Sequence, residues 1–385
     1  MVTLTSASNA LKNVYLDVVT NQLNTKINPF YAMIQKTSNF VNGNTIVKAA
    51  PVGLNGGIGA GTEDGALPTV GSQNYHQFRE TLKNLYGRIC ISDKALRAST
   101  NDAGAFVNLL NSEMESLITA SQFNFSRMLF GNGTGKLASV VAKEGNVITV
   151  DAALNLAVGQ ILDIYSAENA IVATAVRVVD INRASKTITV SGNIEAVVEG
   201  CYLTIQNSKD NEITGIEAIF DDSVTSLYGL NKSENAWLKP LTMDINGALN
   251  EILLQMAIDN LDENFGSEID YITCSNAVRR GYQLYLSNYR KNIDVMNLEG
   301  GFKAISYNNI PVVADKFIKE DCMYLLNSKD FTLHQLCDWK WLEGETGNIL
   351  KQNAGFATYT ATLVKYANLM CDKPCGQAKL YNLTV

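Results

Sequence analysis

The stretch Phe130-Gly131-Asn132-Gly133-Thr134-Gly135-Lys136 decides between two very different interpretations of this chain. Its Gly-Lys ending suggests a phosphate-binding loop, which requires G-x-x-x-x-G-K-[ST] between a strand and a helix. The first glycine of that motif would fall at Phe130, and Leu137 stands where a magnesium-binding hydroxyl is needed. The order of elements is also reversed, because a helical pattern precedes the loop and a β-rich segment follows it. The stretch therefore argues against nucleotide binding and favours the end of a helix that leads into a β domain.

Residues 101–130 carry the clearest helical pattern of the chain. A helix of about 28 residues would extend roughly 42 Å at ~1.5 Å per residue, which is long for a globular protein. Asn101 or Asp102 can cap its start, and we expect Gly131 to end it in the left-handed conformation. Apolar residues that recur at helical spacing would form one wide face: Phe106, Leu109, Leu110, Met114, Leu117, Ile118, Phe123, Phe125 and Met128.

Residues 137–212 predict a small all-β domain, which we interpret as an insertion into a larger fold. The phrases Val158-Gly159-Gln160 and Val198-Glu199-Gly200 are alike and hint at an internal repeat. Five short β-branched runs follow one another at the spacing of a barrel or sandwich: 147–150, 160–165, 173–179, 186–190 and 202–205.

Residues 43–88 predict a long hairpin with a glycine-rich tip. One strand is expected over 45–50 and another near 74–91, and the segment from Val52 to Gly71 contains seven glycines. The tip has too few large apolar residues to build a core of its own. The residues alone leave two interpretations open, a mobile surface loop or an arm that becomes ordered against another subunit.

The two ends of the chain carry further elements. Residues 11–23 are amphipathic, as in a core helix or an arm on a neighbour, and we expect Asn28-Pro29 to end this segment. Residues 213–385 predict a mixed α/β region. Its expected elements are a helix marked by Ile245, Leu249, Ile252, Leu253, Met256, Leu261 and Phe265, a strand over 269–274, a helix capped by Ser275 or Asn276, strands near 305, 310–313 and 323–326, and a long final strand over 356–370.

The bulk composition narrows the functional classes. The 385 residues suffice for about two or three folded units, and the net charge of −7 argues against a dedicated nucleic-acid binder. Only 18% of the residues are charged, which suggests surface buried between subunits. No apolar run is long enough to cross a membrane, and no signal-peptide pattern is present. The cysteines lack C-x-x-C spacing and are expected to be reduced thiols: Cys90, Cys201, Cys274, Cys322, Cys337, Cys371 and Cys375.

No constellation of catalytic residues emerges. His76 and His334 are the only histidines and lie far apart in the sequence, so each is expected to pack. Asp221-Asp222 is expected to cap a turn or meet solvent. We expect no catalytic, cofactor-binding or metal-binding residue, and hence a structural protein. The other polar or aromatic candidates are interpreted as solvated helix faces or packing residues: Arg279-Arg280, Arg290-Lys291, Trp339 and Trp341.

The order of these elements resembles the major capsid proteins of tailed bacteriophages, which have the α+β Hong Kong 97-type fold. In that family a long spine helix ends in a glycine-rich turn, and a Gly-Leu or Gly-Ile step soon follows. Leu129–Gly135 resembles the turn and Thr214-Gly215-Ile216 the step, with the β domain inserted between them. Tyr307–Asp315 also resembles the strand, turn, Ile-Pro-Val-Val and Asp pattern of the family.

The resemblance implies a division of the chain into the parts of that fold. These are an N-arm (1–42), an extended E-loop hairpin (43–88), a peripheral P-domain with the spine helix (89–136), an inserted β-barrel or sandwich (137–212), a P-domain continuation (213–243), an axial A-domain (244–355) and a return to the P-domain (356–385). It also implies two sets of functional residues. They are an intersubunit E-loop tip at Gly56, Gly57, Gly59, Gly61, Leu67 and Pro68, and a helix stop and insertion hinge at Gly131, Gly133, Gly135 and Gly215.

The implied function is structural. The chain is expected to form pentamers and hexamers of an icosahedral phage head, made in the bacterial cytoplasm and retained in the virion. Implied partners are further copies of the chain, a separate scaffolding protein, a portal, a possible decoration protein and double-stranded DNA held by weak non-specific contacts, with no cofactor and no membrane. The inserted domain could stabilise a capsomer or dock a decoration protein, and we expect the first.

Covalent crosslinks and two other functions complete the expectations. Some family members join subunits through an E-loop lysine, but the tip from Gly53 to Gly71 has none, and Lys48 and Lys83 lie on the stems. No such crosslink is therefore expected. One alternative is an encapsulin, a nanocompartment shell with the same fold that packages cargo enzymes. The other is an adhesin or carbohydrate-binding module with residues 137–212 as its binding unit.

Overall fold

The structure is a computed structural model, and it describes residues 28–94, 103–289, 295–297, 303–343 and 349–384. The predicted segment 11–23, the candidate caps Asn101 and Asp102, and Arg290-Lys291 lie outside the described residues. Among the described residues, no helix is long and apolar enough to cross a membrane. In chain order the helices are α1 Pro29–Met33, α2 Ala103–Leu129, α3 Glu217–Phe220, α4 Glu251–Phe265 and α5 Asn276–Tyr289.

The strands fall into three sheets, a two-stranded ribbon and a closed barrel. In chain order they are β1 Gln35–Thr37, β2 Val41–Asn42, β3 Thr45–Val52, β4 Asn74–Thr81, β5 Lys83–Ser92, β6 Lys136–Glu144, β7 Val147–Val150, β8 Ile161–Tyr165, β9 Ile171–Asn182, β10 Thr187–Ser191, β11 Tyr202–Ile205, β12 Ser226–Leu227, β13 Leu230–Asn231, β14 Leu241–Ala248, β15 Tyr271–Cys274, β16 Val295–Asn297, β17 Lys303–Tyr307, β18 Ile310–Ala314, β19 Met323–Leu326, β20 Phe331–Trp341, β21 Lys351–Gln352, β22 Thr358–Cys371 and β23 Ala378–Thr384.

The long helix α2 packs on a five-stranded sheet ordered β1-β20-β22-β21, with β5 also paired to β22. The helix buries Met114, Ile118 and Phe125 in the largest core of the molecule. A Cβ at Gly87 of β5 would lie 3.0 Å from the Leu117 side chain, so glycine lets the helix lie close to the sheet. Met114, Ile118 and Phe125 of the predicted apolar stripe therefore lie on the face that meets this sheet.

A second unit is a seven-stranded sheet ordered β14-β23-β19-β15-β18-β17-β16. Helices α4 and α5 share one core on one side of it, where Leu254, Leu261 and Tyr282 are fully buried. The Ser275 hydroxyl accepts the Val278 N–H at 3.1 Å, as expected of the residue that caps α5.

The segment between α2 and α3 closes into a six-stranded barrel ordered β10-β7-β6-β11-β8-β9. Its core is separate from the other two and is built from aliphatic side chains such as Ile148, Leu162 and Ile188. The two similar phrases form equivalent turns. Gly159 donates its N–H to the Val178 carbonyl at 2.9 Å, Gly200 donates to the Val140 carbonyl at 3.0 Å, and both glycines have positive φ.

One prediction near the start of the chain is wrong, and one short helix was not predicted. This helix begins at Pro29, because the Asn28 side chain accepts the Tyr31 N–H at 2.7 Å and proline suits the first helical position. The strand expected near 74–91 is two strands in different sheets. Its first part, β4, pairs with β3 in the hairpin, and its second part, β5, pairs with β22 in the five-stranded sheet.

Three predictions in the second half also need correction. Ile245 belongs to strand β14 and Leu249 lies before α4, which Asn250 caps. The final strand is β23, not the one predicted at 356–370, and it pairs with β14 and β19. Strand β20 pairs with β22, so residues 331–341 lie in the five-stranded sheet with 358–371, while 378–384 lie in the seven-stranded sheet. The pairing contradicts the boundary expected at 355.

Candidate assembly surfaces

The glycine-rich stretch after α2, residues 130–135 and called the hinge below, connects the helix to the barrel. Helix α2 ends at Leu129, where Gly131 donates its N–H to the Met128 carbonyl at 3.0 Å. Gly131 was expected to be left-handed, and this is wrong. The positive φ values belong to Gly133 and Gly135, at 86° and 78°. The chain therefore tightens the last helical turn first and reverses direction two residues later.

Gly215 closes the other side of the hinge. Ile216 donates its N–H to the Leu129 carbonyl at 2.8 Å, which satisfies one of the open carbonyls at the helix end. A Cβ at Gly215 would lie 2.7 Å from that same oxygen, and closer still to the carbonyl oxygens of Met128 and Gly131. The structure thus places Gly131 and Gly133 beside residues 213–215, whereas Gly135 lies against Ser208.

Buried polar groups tie the end of the barrel segment to α2, and no pattern in the sequence predicted them. Arg127 in the last turn of the helix forms an ion pair with Glu212, and both side chains are buried. The Asn368 side chain accepts the Thr214 N–H at 2.7 Å and donates to the Thr81 carbonyl at 2.9 Å. The hinge is therefore held to the helix, to β22 and to the base of the hairpin.

Asp221 holds the opposite side of the hinge. Its carboxylate accepts the Ser223 N–H at 2.8 Å and the Asn132 side-chain amide at 2.9 Å. Burial alone would raise the pKa of Asp221, but the hydrogen bonds from Ser223 and Asn132 outweigh it, so the pKa lies below its usual value. The carboxylate thus caps a turn, as expected.

The extended loop at residues 53–73 has no strand or helix and folds back on itself. A Cβ at Gly57 would lie 2.9 Å from the backbone nitrogen of Gly71, and one at Gly59 would lie 3.0 Å from the Pro68 ring. Gly56 has open space around it, and Gly61 has only the Ala66 carbonyl within reach. Four large apolar side chains are almost fully exposed here: Leu54 at 93%, Ile58 at 88%, Leu67 at 91% and Val70 at 96%.

The stems of this loop are anchored to their own chain. Lys48 on the stem strand β3 forms an ion pair with Asp372, and the ammonium of Lys83, which lies on β5 just after the hairpin, donates to the Asp210 carbonyl at 2.8 Å. Phe78 of β4 stacks on Trp237 with ring centroids 5.7 Å apart. Both lysines are thus already engaged, whereas the apolar residues of the tip are exposed to solvent.

The face of the five-stranded sheet that points away from α2 is basic. Tyr86, Val364 and Lys340 stand in one row across three strands, and Arg88 and Lys351 lie on the same face. The three basic side chains are exposed, and Tyr86 is 60% exposed. This face, called the outer sheet face below, combines positive charge with an aromatic surface.

The residues weighed for catalysis are used in packing. The His334 ring donates its Nδ1–H to the Asn39 carbonyl at 3.1 Å, and burial lowers the pKa of this histidine. The His76 ring lies 5.3 Å from the Trp237 ring, and Trp339 and Trp341 are buried. Within the described ranges, no group of three or more His, Cys, Asp or Glu side chains could hold a metal ion.

Asp315 lies in a turn between the seven-stranded sheet and α2. Its carboxylate accepts the Phe317 N–H at 2.9 Å, and the Lys316 ammonium lies 4.8 Å from the Phe123 ring of the helix. Burial raises the pKa of Asp315 to about 6, although the Phe317 hydrogen bond and Lys316 oppose the shift. The folded state therefore binds this proton more tightly than the unfolded chain does.

Replacing Asp315 by Asn should stabilise the protein at pH 7 by up to about 3 kcal/mol, at ~1.4 kcal/mol per pKa unit. Because folding raises this pKa, the contribution of Asp315 to the unfolding free energy is greatest below about pH 4 and is lost as the pH rises through 6. The variant lacks this change. Urea unfolding from pH 4 to 7 measures the difference, with Asp262→Asn on the exposed side of α4 as control. A variant effect that is the same at every pH would contradict the prediction.

Several solved structures are similar to this chain over most of its length. A chain of the cyanophage A-1(L) capsid asymmetric unit matches 96% of this chain and 93% of its own length, with a TM-score of 0.54 and 11% identity. A chain of Mycobacterium phage Adephagia has a TM-score of 0.47 and 10% identity over 93% of this chain and 90% of its own. A chain of the SrpI encapsulin complex of Synechococcus elongatus PCC 7942 has a TM-score of 0.46 and 10% identity over 94% of this chain and 90% of its own.

No protein-family model and no curated protein sequence matches the chain. The cyanophage match extends over nearly all of both chains, and it confirms the resemblance at the level of the fold. The chain has the fold of a phage capsid protein.

Proposed function

We propose that the chain is a major capsid protein that forms pentamers and hexamers of an icosahedral shell around a double-stranded DNA genome. The observation that carries the proposal is the extended loop. Its four exposed apolar side chains would each gain about 1.5–3 kcal/mol on full burial, and its own chain does not bury them. A surface of this kind is characteristic of an interface, and the capsid fold supports the same function.

The outer sheet face of a neighbouring copy is the surface that best fits the loop tip. The tip carries Glu63 and Asp64 and no basic residue between 53 and 73, whereas the face carries Arg88, Lys340 and Lys351. Exposed apolar side chains accompany the charges at the tip, and the exposed ring of Tyr86 accompanies them on the sheet face. Opposite charges of this kind select the partner and its register.

The division into capsid domains is part of this proposal. Helix α2 and the five-stranded sheet form the P-domain, the hairpin β3–β4 is the E-loop, and residues 28–42 belong to the N-arm. The seven-stranded sheet with α4 and α5 is the A-domain, and the barrel is the insertion. Its closed core and anchored hinge support a role in stabilising the capsomer. A scaffolding protein, a portal and a decoration protein stay predictions of the resemblance.

Electron microscopy of the purified chain tests the function. Closed shells, or separate pentamers and hexamers, are expected, and the role is structural without catalysis. A chain that stays monomeric at every concentration and in crowding agents would contradict the proposal. The contents of the shells separate the alternative: packaged DNA is expected here, and packaged cargo enzyme would indicate an encapsulin. Glycan binding by the chain would favour the adhesin.

Shells of this protein should fall apart into single chains on a denaturing gel after boiling. Lys48 and Lys83 are held by Asp372 and by the Asp210 carbonyl, and the tip between them has no lysine. No amine is therefore positioned on the loop to attack a neighbouring side chain. A ladder of covalent oligomers in boiled shells, absent from the unassembled chain, would contradict this prediction.

A further inference from the structure

Helices α4 and α5 expose apolar residues that their own sheet does not cover. On α4, Ile252 and Met256 are 70% and 50% exposed, and on α5 Leu284 is 65% exposed. Both helices already bury their opposite faces in the shared core. The exposed apolar residues are therefore additional to those that the core requires. Large apolar residues at helical spacing on a solvent face point to a contact with another surface.

The two exposed stripes carry opposite charge. The acidic stripe consists of Ile252, Met256, Asp259 and Glu263, which follow one another at helical spacing, and α4 contains no Lys or Arg. The basic stripe consists of Arg280 and Leu284 on α5, and α5 contains no Asp or Glu. All six side chains are exposed. Each stripe thus pairs aliphatic residues with charges of a single sign.

A cavity beside the basic stripe adds a matching shape. It measures about 190 Å³ and is lined by residues that include Leu249, Gly281, Leu284 and Leu383. A Cβ at Gly281 would meet nothing within 4 Å, so the helix leaves this space open. The cavity is mostly apolar and open to the outside, which suits one aliphatic side chain of a partner, such as Met256.

We propose that the acidic stripe of one copy packs on the basic stripe of the next copy within a ring. The inference rests on the proposed function, since it names the contact that joins neighbours in a pentamer or hexamer. Two different patches that complement each other form a head-to-tail interface, and such interfaces close into rings when the rotation between copies permits.

Charge reversal tests the pairing. Arg280→Glu alone, and Asp259→Lys with Glu263→Lys, should each lower the yield of rings or shells by about tenfold or more, because like charges then face each other. The three substitutions in one chain should restore assembly. Unfolding midpoints of all variants should match the native chain, since the positions are exposed. Loss of assembly that the combined variant does not reverse would overturn the proposal.

Cysteine crosslinking locates the contact independently. Copies with Met256→Cys are assembled with copies carrying Leu284→Cys, and mild oxidation should give a disulfide-linked dimer with the two cysteines in one peptide pair. Lys186→Cys on the barrel is the matched control and should give none. Intact shells without the Met256–Leu284 link, or with either cysteine linked to another protein, would overturn the interface and leave the proposed function standing. If the native chain never assembles, the proposed function itself is contradicted.

Discussion

Deletion of residues 58–70 should abolish shell assembly and leave the monomer folded. The deletion removes Ile58, Leu67 and Val70, which are at least 88% exposed, together with both acidic residues of the tip. At about 1.5–3 kcal/mol for each apolar side chain that a neighbour would bury, every contact between copies loses roughly 5–9 kcal/mol of gross stabilisation. A shell repeats the contact at every copy, so assembly is expected to fall below detection.

The backbone geometry makes this deletion a clean test. A Cβ at Gly57 would lie 3.6 Å from the Gly71 Cα, so joining residues 57 and 71 directly needs little movement of the strands β3 and β4. Circular dichroism and the unfolding midpoint should therefore match the native chain. A second variant, in which 58–70 are replaced by Gly and Ser at the same length, separates lost side chains from lost length. Shells of normal yield from either variant would contradict the assigned role of the tip.

The sequence predicted the elements whose pattern is local. The apolar stripe of residues 101–130 found the helix α2 to within about two residues at each end. The β-branched runs found five strands of the barrel, but not β6, whose residues Lys136–Glu144 include alanines, lysines and a serine with weak strand preference. The spacing of apolar residues indicates only local periodicity. A strand that lacks residues with strong strand preference is therefore not predicted from it.

The features that could not be predicted from the sequence depend on contacts between residues far apart in the chain. Strand β23 is defined by its pairing with β14 and β19, which lie far back in the chain. Likewise, Arg127 and Glu212 are 85 residues apart, and Asn368 and Thr214 are 154 apart. Nothing in a local window marks these residues as partners. The hinge glycines could be predicted because glycine itself marks a tight turn, although the left-handed conformation predicted for Gly131 was wrong.

Replacing Gly215 by Ala should destabilise the protein by about 3 kcal/mol, at the upper end of the ~1–3 kcal/mol that overpacking a well-packed site costs. The added Cβ would overlap the carbonyl oxygens of Met128, Leu129 and Gly131, which belong to backbone and cannot rotate away as a side chain can. Removing this overlap requires the backbone around residue 215 to move away from the end of α2. That movement breaks the bond from the Ile216 N–H to the Leu129 carbonyl and leaves a helical carbonyl without its partner.

The effect should be confined to a glycine in this tight position. Gly281→Ala is the matched control, because a Cβ there meets nothing within 4 Å and the residue lies inside α5. The control should be neutral or more stable by up to about 1 kcal/mol, since alanine favours a helix. Urea unfolding of the unassembled chain measures both variants, which separates stability from assembly. If Gly215→Ala unfolds at the native midpoint, the barrel can leave the helix without this close contact, and Gly215 is not the residue that closes the hinge.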